Sequence, residues 1–229
     1  MGSALLALVA GCSPPATVQM LVGEPIPAAT EAAVDVPAAE VIVLPAARLE
    51  GDVSLEETLA RRRSVRSYQG DPLTLGELGQ LFWAAQGVTH EVGYRTAPSA
   101  GALYPLEIYA ATDRGLYHYL SEGHRAAVVH REGWRAALCG AALVQESVCR
   151  APAVFVVSAV YARTAGKYGE RADRYVRLEA GHAAQNLLLQ AVALDLGAVP
   201  IGAFYDEQVQ AALGLPIEQE PLYLIPVGR

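Results

Sequence analysis

Residues 95–112, RTAPSAGALYPLEIYAAT, set a loop with almost no side-chain bulk directly ahead of a run that reads as a buried strand. Pro, Ser and Gly punctuate a chain between regular elements, and small residues let a backbone lie close against something flat and large. Downstream, GLYHYL (115–120) and AAVVH (126–130) follow LEIYAAT across short turns and predict an antiparallel meander. Upstream, SLEETLARRRS and TLGELGQLFWAAQG each open on a hydroxyl residue with Glu three positions on, Ser54 with Glu57 and Thr74 with Glu77, the spacing of a capped helix start. The second shows an apolar face through Leu78, Leu81, Phe82 and Ala85 and stops at Gly87.

Beyond the meander, a helix is expected from Trp134 to Gln145, then PAVFVVSAVY, an almost uniformly apolar run typical of a central strand covered on both faces. From Tyr168 to Leu196 apolar residues recur at helical spacing, through Val176, Ala180, Ala183, Leu187, Ala191 and Leu194, predicting one long core helix. GAVPIGAF reads as strand, DEQVQAALG as a short helix and PLYLIPVGR as a closing strand. This mixture is α+β rather than a regular βαβ alternation.

The 229 residues suit one folded domain, and 52% hydrophobic with 18% charged residues describes a well-packed globular chain. A net charge of −7 argues against nucleic acid as a partner, which needs a basic face. Cys12, Cys139 and Cys149 have no metal-ligand spacing, and no metal site is expected. Cys139 and Cys149 read as buried free thiols, although an extracytoplasmic address would favour their pairing.

The first residues differ in kind. ALLALVAG (4–11) is too short to cross a membrane, ends at Cys12 and resembles, as VAGC, a bacterial lipobox. That reading makes 1–12 a lipoprotein leader, Cys12 a lipidated membrane anchor, 13–45 an Ala/Pro-rich disordered tether and 46–229 the folded domain, held outside the cytoplasm. No Lys or Arg precedes the apolar run, and the alternative is an apolar leader on a cytoplasmic enzyme.

Arg61-Arg62-Arg63-Ser64-Val65-Arg66 packs four guanidinium groups and a hydroxyl into an acidic protein. Such a cluster either clamps a phosphate or favours a helix C-terminus. Taken in order, RRRSVRSY, PLTLGELGQLFWAAQG, RTAPSAGALYPLEIYA, KYGERADRYVRLEAGHAAQNLLLQA, GAVPIGAF and PLYLIPVGR resemble the FMN-dependent nitroreductase family. Within it they are most similar to the SagB-type, thiazole-oxidase-like branch.

The resemblance implies a central, mainly antiparallel sheet flanked by helices and a homodimer with FMN at its interface. It implies FMN contacts from Arg62, Arg63, Ser64 and Arg66, from Pro98, Ser99, Ala100 and Gly101 of the second subunit, from Pro200, Ile201, Gly202 and Ala203, and from Arg229. Lys167-Tyr168, at the start of the long helix, would be the catalytic pair, Lys167 accepting a proton. The activity implied is two-electron oxidation or reduction of a small molecule or azoline, with NAD(P)H as a possible donor. A tethered flavin-binding scaffold with little turnover is the alternative. His182 reads as a core or interface histidine, and Asn186 as a backbone cap or a flavin contact.

Overall fold

The strand Ala153–Ala159 is fully buried along its length, with Phe155 and Val157 on one face and Val154 and Val156 on the other. Apolar residues at every position but Ser158 leave neither face able to meet water, so helices must cover both. This is the fifth strand of the computed structural model, which describes residues 40–130 and 133–229. The leader, Cys12 and the tether up to residue 39 lie outside the described residues.

The described residues form one sheet in the order β1-β4-β3-β2-β5-β7-β6, with every pairing antiparallel. The strands are β1 Val41–Val43, β2 Leu106–Thr112, β3 Gly115–Leu120, β4 Arg125–His130, β5 Ala153–Ala159, β6 Gly197–Ala198 and β7 Glu220–Gly228. On one face α2 (Leu75–Gln86) and α6 (Ala172–Ala193) pack Leu81, Phe82, Val176 and Leu187 against Phe155 and Ile225. On the other, α3 (Trp134–Ala141) and α7 (Asp206–Leu213) pack Trp134, Leu138 and Leu213 against Val154 and Leu224. The remaining helices are α1 (Leu55–Arg61), α4 (Glu146–Arg150) and α5 (Tyr161–Tyr168). This is the α+β nitroreductase-like architecture the sequence implied.

Local chemistry sets the helix starts. Thr74 and Glu77 form the reciprocal capping box, whereas Ser54 caps Glu57 N in one direction and the Glu57 side chain turns to Arg61 instead.

Several expectations are corrected. The folded unit begins before residue 46: Val41–Val43 pairs with β4 and Leu44 is buried, because a short apolar run can satisfy an open sheet edge. The single helix from Tyr168 to Leu196 is two, since Gly169 takes φ 55 and ψ −133, a conformation that suits only glycine. Lys167-Tyr168 therefore ends α5 rather than starting the long helix. The stretch from Trp134 to Gln145 is broken by Leu143 and Val144, both at positive φ. That turn brings Cys139 and Cys149 to a Cα separation of 4.7 Å, and they form a disulfide instead of free thiols. GAVPIGAF contributes only the two residues of β6 and a bridge from Ile201 to Leu224, because Pro200 has no N–H to donate.

Candidate active site

After α1 the chain turns at Arg62 and runs beside β6: Ser64 bridges Ala198 in parallel and Val65 N donates to Ala198 O at 3.1 Å. Gly197 permits this approach, since a Cβ there would lie 2.6 Å from Val65 Cγ1. Tyr68 pins the segment to the sheet by donating to Val65 O at 2.6 Å and Pro226 O at 3.1 Å, and burial pushes its phenol well above the usual range. The result is a cavity of about 230 Å³ where Arg61, Arg63 and Arg229 meet Asp195 and Gly197.

The guanidinium groups there are differently engaged. Arg63 Nη1 donates only to backbone, to Ala60 O at 2.9 Å and Arg62 O at 2.7 Å. Arg66 reaches Ser64 O at 3.4 Å. Arg61 lies between Glu57 and Asp195, at 3.0 and 3.3 Å, and Arg229 pairs with Glu77. Arg61, part of the arginine run but not among the FMN contacts the resemblance implied, also lines the cavity.

The second group is built around the Pro-Ser loop. Ser99 Oγ accepts from Tyr104 N at 2.9 Å, and the turn between them holds Gly101, Ala102 and Tyr104 at positive φ. Left-handed backbone at Ala102 and Tyr104 is strain that the surrounding contacts must hold in place. A Cβ on Gly101 would stand 2.9 Å from Tyr168 Oη and 3.0 Å from Lys167 Nζ. The fold thus brings the Lys-Tyr pair onto the loop. Lys167 Nζ lies 5.5 Å from the Tyr168 ring centroid, and Tyr168 meets Tyr175 edge-on at 5.0 Å.

A cavity of about 240 Å³ lies beside this loop, lined by Pro98, Ser99, Ala100, Tyr175, Glu179 and His182 among others. His182 is exposed in the single chain rather than in its core, and Asn186 caps backbone, donating to Thr96 O at 3.2 Å. Glu179, by contrast, is 3% exposed. Burial raises its carboxyl to about 7, against the opposing effect of hydrogen bonds from Ser99 and Gln86 and the charge of Arg95. Sequence reading passed over Glu179, although it stands three residues after Val176 and four before Ala183, on the helix's apolar face.

The third segment, Pro200–Ala203, leaves the sheet at Ile201, which exchanges backbone bonds with Leu224, and exposes Gly202 and Ala203. Gln145 Nε2 holds Ala203 O at 2.8 Å. Within one chain, no hydrogen bond among the described residues links the arginine segment to the Pro-Ser loop.

Proteins similar to this chain include ones described as nitroreductases and an oxidoreductase. A Methanocaldococcus jannaschii protein described as a nitroreductase is 46% identical over 184 residues, covering 78% of this chain and 92% of that protein. The crystal structure of a Ralstonia eutropha protein, also described as a nitroreductase, matches with a TM-score of 0.74 at 30% identity, covering 85% of this chain and 91% of the other. The NADPH:FMN oxidoreductase of Vibrio harveyi, solved with NAD+, shares the fold with a TM-score of 0.58 at 24% identity, covering 76% and 68%. The protein is thus an enzyme of the oxidoreductase class. It belongs to the nitroreductase family, whose sequence model matches residues 59–229.

Proposed function

We propose that the protein is an FMN-dependent oxidoreductase of the SagB-type, thiazole-oxidase-like kind, working as a homodimer on a small molecule or an azoline. The observation that carries this reading is the convergence of Lys167 Nζ and Tyr168 Oη on Gly101 of the Pro-Ser loop. A proton-accepting pair and a loop of small residues are what removal of hydrogen from a flat substrate requires.

The residues present fit FMN. Arg63 and Arg66 have guanidinium donors committed only to backbone carbonyls, and together with Arg62 and Ser64 they supply the charge and hydroxyl that a terminal phosphate takes, whereas Arg229 would have to leave Glu77 to join them. Pro200–Ala203 offers exposed backbone at Gly202 and Ala203 for a flat ring edge. When bound, FMN supplies two-electron transfer to and from the substrate. The separation of the arginine segment from the Pro-Ser loop within one chain supports a site completed by the loop of a second copy. In this scheme Lys167 Nζ accepts the substrate proton, Tyr168 Oη orients the group that loses it, and the small residues 98–101 exclude water without occupying the stacking space.

The Cys139–Cys149 disulfide favours an oxidising compartment. With the lipobox-like VAGC that ends at Cys12, it supports an enzyme tethered outside the cytoplasm. NAD(P)H is scarce there, so the donor would be the organic substrate itself, with oxygen or a quinone as acceptor.

The test is an anaerobic absorbance titration of the purified, FMN-loaded protein with NADH and NADPH, followed by admission of air. A yellow protein indifferent to both nucleotides is the expected result. Bleaching by either assigns a nicotinamide donor and removes the argument for an external address. Replacing Arg62 and Arg66 together with Ala should strip the flavin; unchanged flavin content would overturn the phosphate assignment. Lys167→Ala should stay yellow and oxidise substrate at least about a hundredfold more slowly, the low end of what a general base contributes.

A further inference from the structure

A cavity of about 310 Å³ opens at the start of β2 and shares no lining residue with the cavity at the Pro-Ser loop. Its walls carry Arg95, Arg125 and Arg163 against Glu107 and Glu122, with His118 beside Glu107. Three guanidinium groups against two carboxylates make this a cationic cavity in a chain of net charge −7.

The partners sharpen the imbalance. Glu107 is fully committed: it accepts from His118 Nε2 at 2.6 Å and pairs with Arg163. Arg95 pairs with no carboxylate among the described residues. One of its N–H groups donates to the neutral Gln86 Oε1 at 3.2 Å, and its flat face lies 4.4 Å from the Tyr104 ring centroid. A guanidinium carries five N–H donors, so the other four have no acceptor among the described residues. Among the described residues Arg125 reaches only a backbone oxygen, that of Glu122, at 3.4 Å. The floor of the same cavity is aliphatic, Leu106 and Ile108 each being 2% exposed.

A half-buried guanidinium with unused donors, Arg95, beside the exposed one of Arg125 and above an apolar floor, is a recognition device for an amphipathic anion. We propose that this cavity is a second ligand site, taking a small organic carboxylate whose acid group is held by Arg95 and Arg125 and whose apolar body covers Leu106 and Ile108. From Arg95, Gln86 continues to Glu179 Oε1 at 3.5 Å, behind Ser99. The ligand would sit at one end of a polar line whose other end is the Pro-Ser loop.

Calorimetric titration of the FMN-loaded protein with cyclohexanecarboxylate, cyclohexanecarboxamide and inorganic phosphate tests the site. Saturable binding of the carboxylate alone, with the flavin absorbance unmoved, is expected. Arg95→Gln and Arg125→Gln should each weaken it about tenfold, the cost of one charge-assisted bond. Arg125 is exposed, so its variant keeps the test valid if Arg95→Gln does not fold. The proposal is overturned if the amide binds as well as the acid, if phosphate binds as tightly, if nothing binds, or if binding shifts the flavin spectrum and survives both substitutions.

Discussion

Replacing Glu179 by Gln should make the protein more stable at pH 8 and leave it nearly unchanged at pH 5. The carboxyl is 3% exposed and its folded value is raised from 4.5 to about 7, chiefly by burial. Each pH unit of displacement corresponds to about 1.4 kcal/mol, so the displacement of about 2.5 corresponds to about 3 kcal/mol. Because the folded value lies above the unfolded one, the unfolded chain releases its proton first as pH rises. The contribution is therefore complete below about pH 4.5 and lost as pH rises through about 7. An amide keeps the shape and hydrogen-bonding capacity of the neutral acid and carries no charge at any of these pH values. Thermal melts of both proteins at pH 5 and 8 should show the variant gaining roughly 6–12 °C over the native chain at the higher pH, at about 2–4 °C per kcal/mol. Parallel pH profiles, or a variant weaker at pH 8, would refute the picture of a protonated carboxyl buried behind Ser99.

Two further outcomes follow from the backbone. Reducing Cys139–Cys149, which closes a loop of sequence separation 10, should cost about 2–3 kcal/mol, and the Cys139→Ser, Cys149→Ser double variant should melt with the reduced native protein; identical melts with and without reductant would argue against the bond. Gly101→Ala places a Cβ 2.9 Å from Tyr168 Oη at a φ of 65, so it should cost about 1 kcal/mol and slow substrate oxidation by displacing the Lys-Tyr pair; Gly70→Ala, with nothing within 4 Å, is the control, and equal turnover of the two variants would detach the pair from the loop.

What could be read from sequence follows the range of the forces involved. The capping box at Thr74 and Glu77 is a contact three residues long, and β5 announces itself because every position but Ser158 is apolar. Both are local patterns. The break at Gly169 was hidden inside a run whose apolar spacing continues on both sides, and a glycine's sign of φ is not written in its neighbours. The same holds for Leu143 and Val144, where non-glycine residues take positive φ and turn a predicted helix back on itself. The disulfide was missed because it depends on that turn. Of the site, the arginine run and the Pro-Ser loop were legible as motifs. Their wiring was not: Tyr68 anchoring Val65 to Pro226, and Glu179 standing behind Ser99, are contacts between residues 158 and 80 positions apart.

The break at Gly169 also explains how a short helix delivers the Lys-Tyr pair to the loop. Had α5 run on into α6, Lys167 and Tyr168 would occupy the middle of a helix, their directions fixed by a continuous turn of about 100° per residue. Ending α5 at Tyr168 frees that constraint, and the edge contact with Tyr175 of α6 then fixes Tyr168 against the neighbouring helix. At the other end of α5, Arg163 donates to Tyr104 O and pairs with Glu107 on β2. The helix is thus tied to the sheet at its start and to α6 at its end. The Pro-Ser loop lies between these two attachments, closed by Ser99 and Tyr104, so loop and Lys-Tyr pair are positioned by one set of contacts. Under the proposed function, a flat substrate entering beside Gly101 would meet a loop and a Lys-Tyr pair held by one set of contacts, the preorganisation that proton transfer at a fixed distance requires.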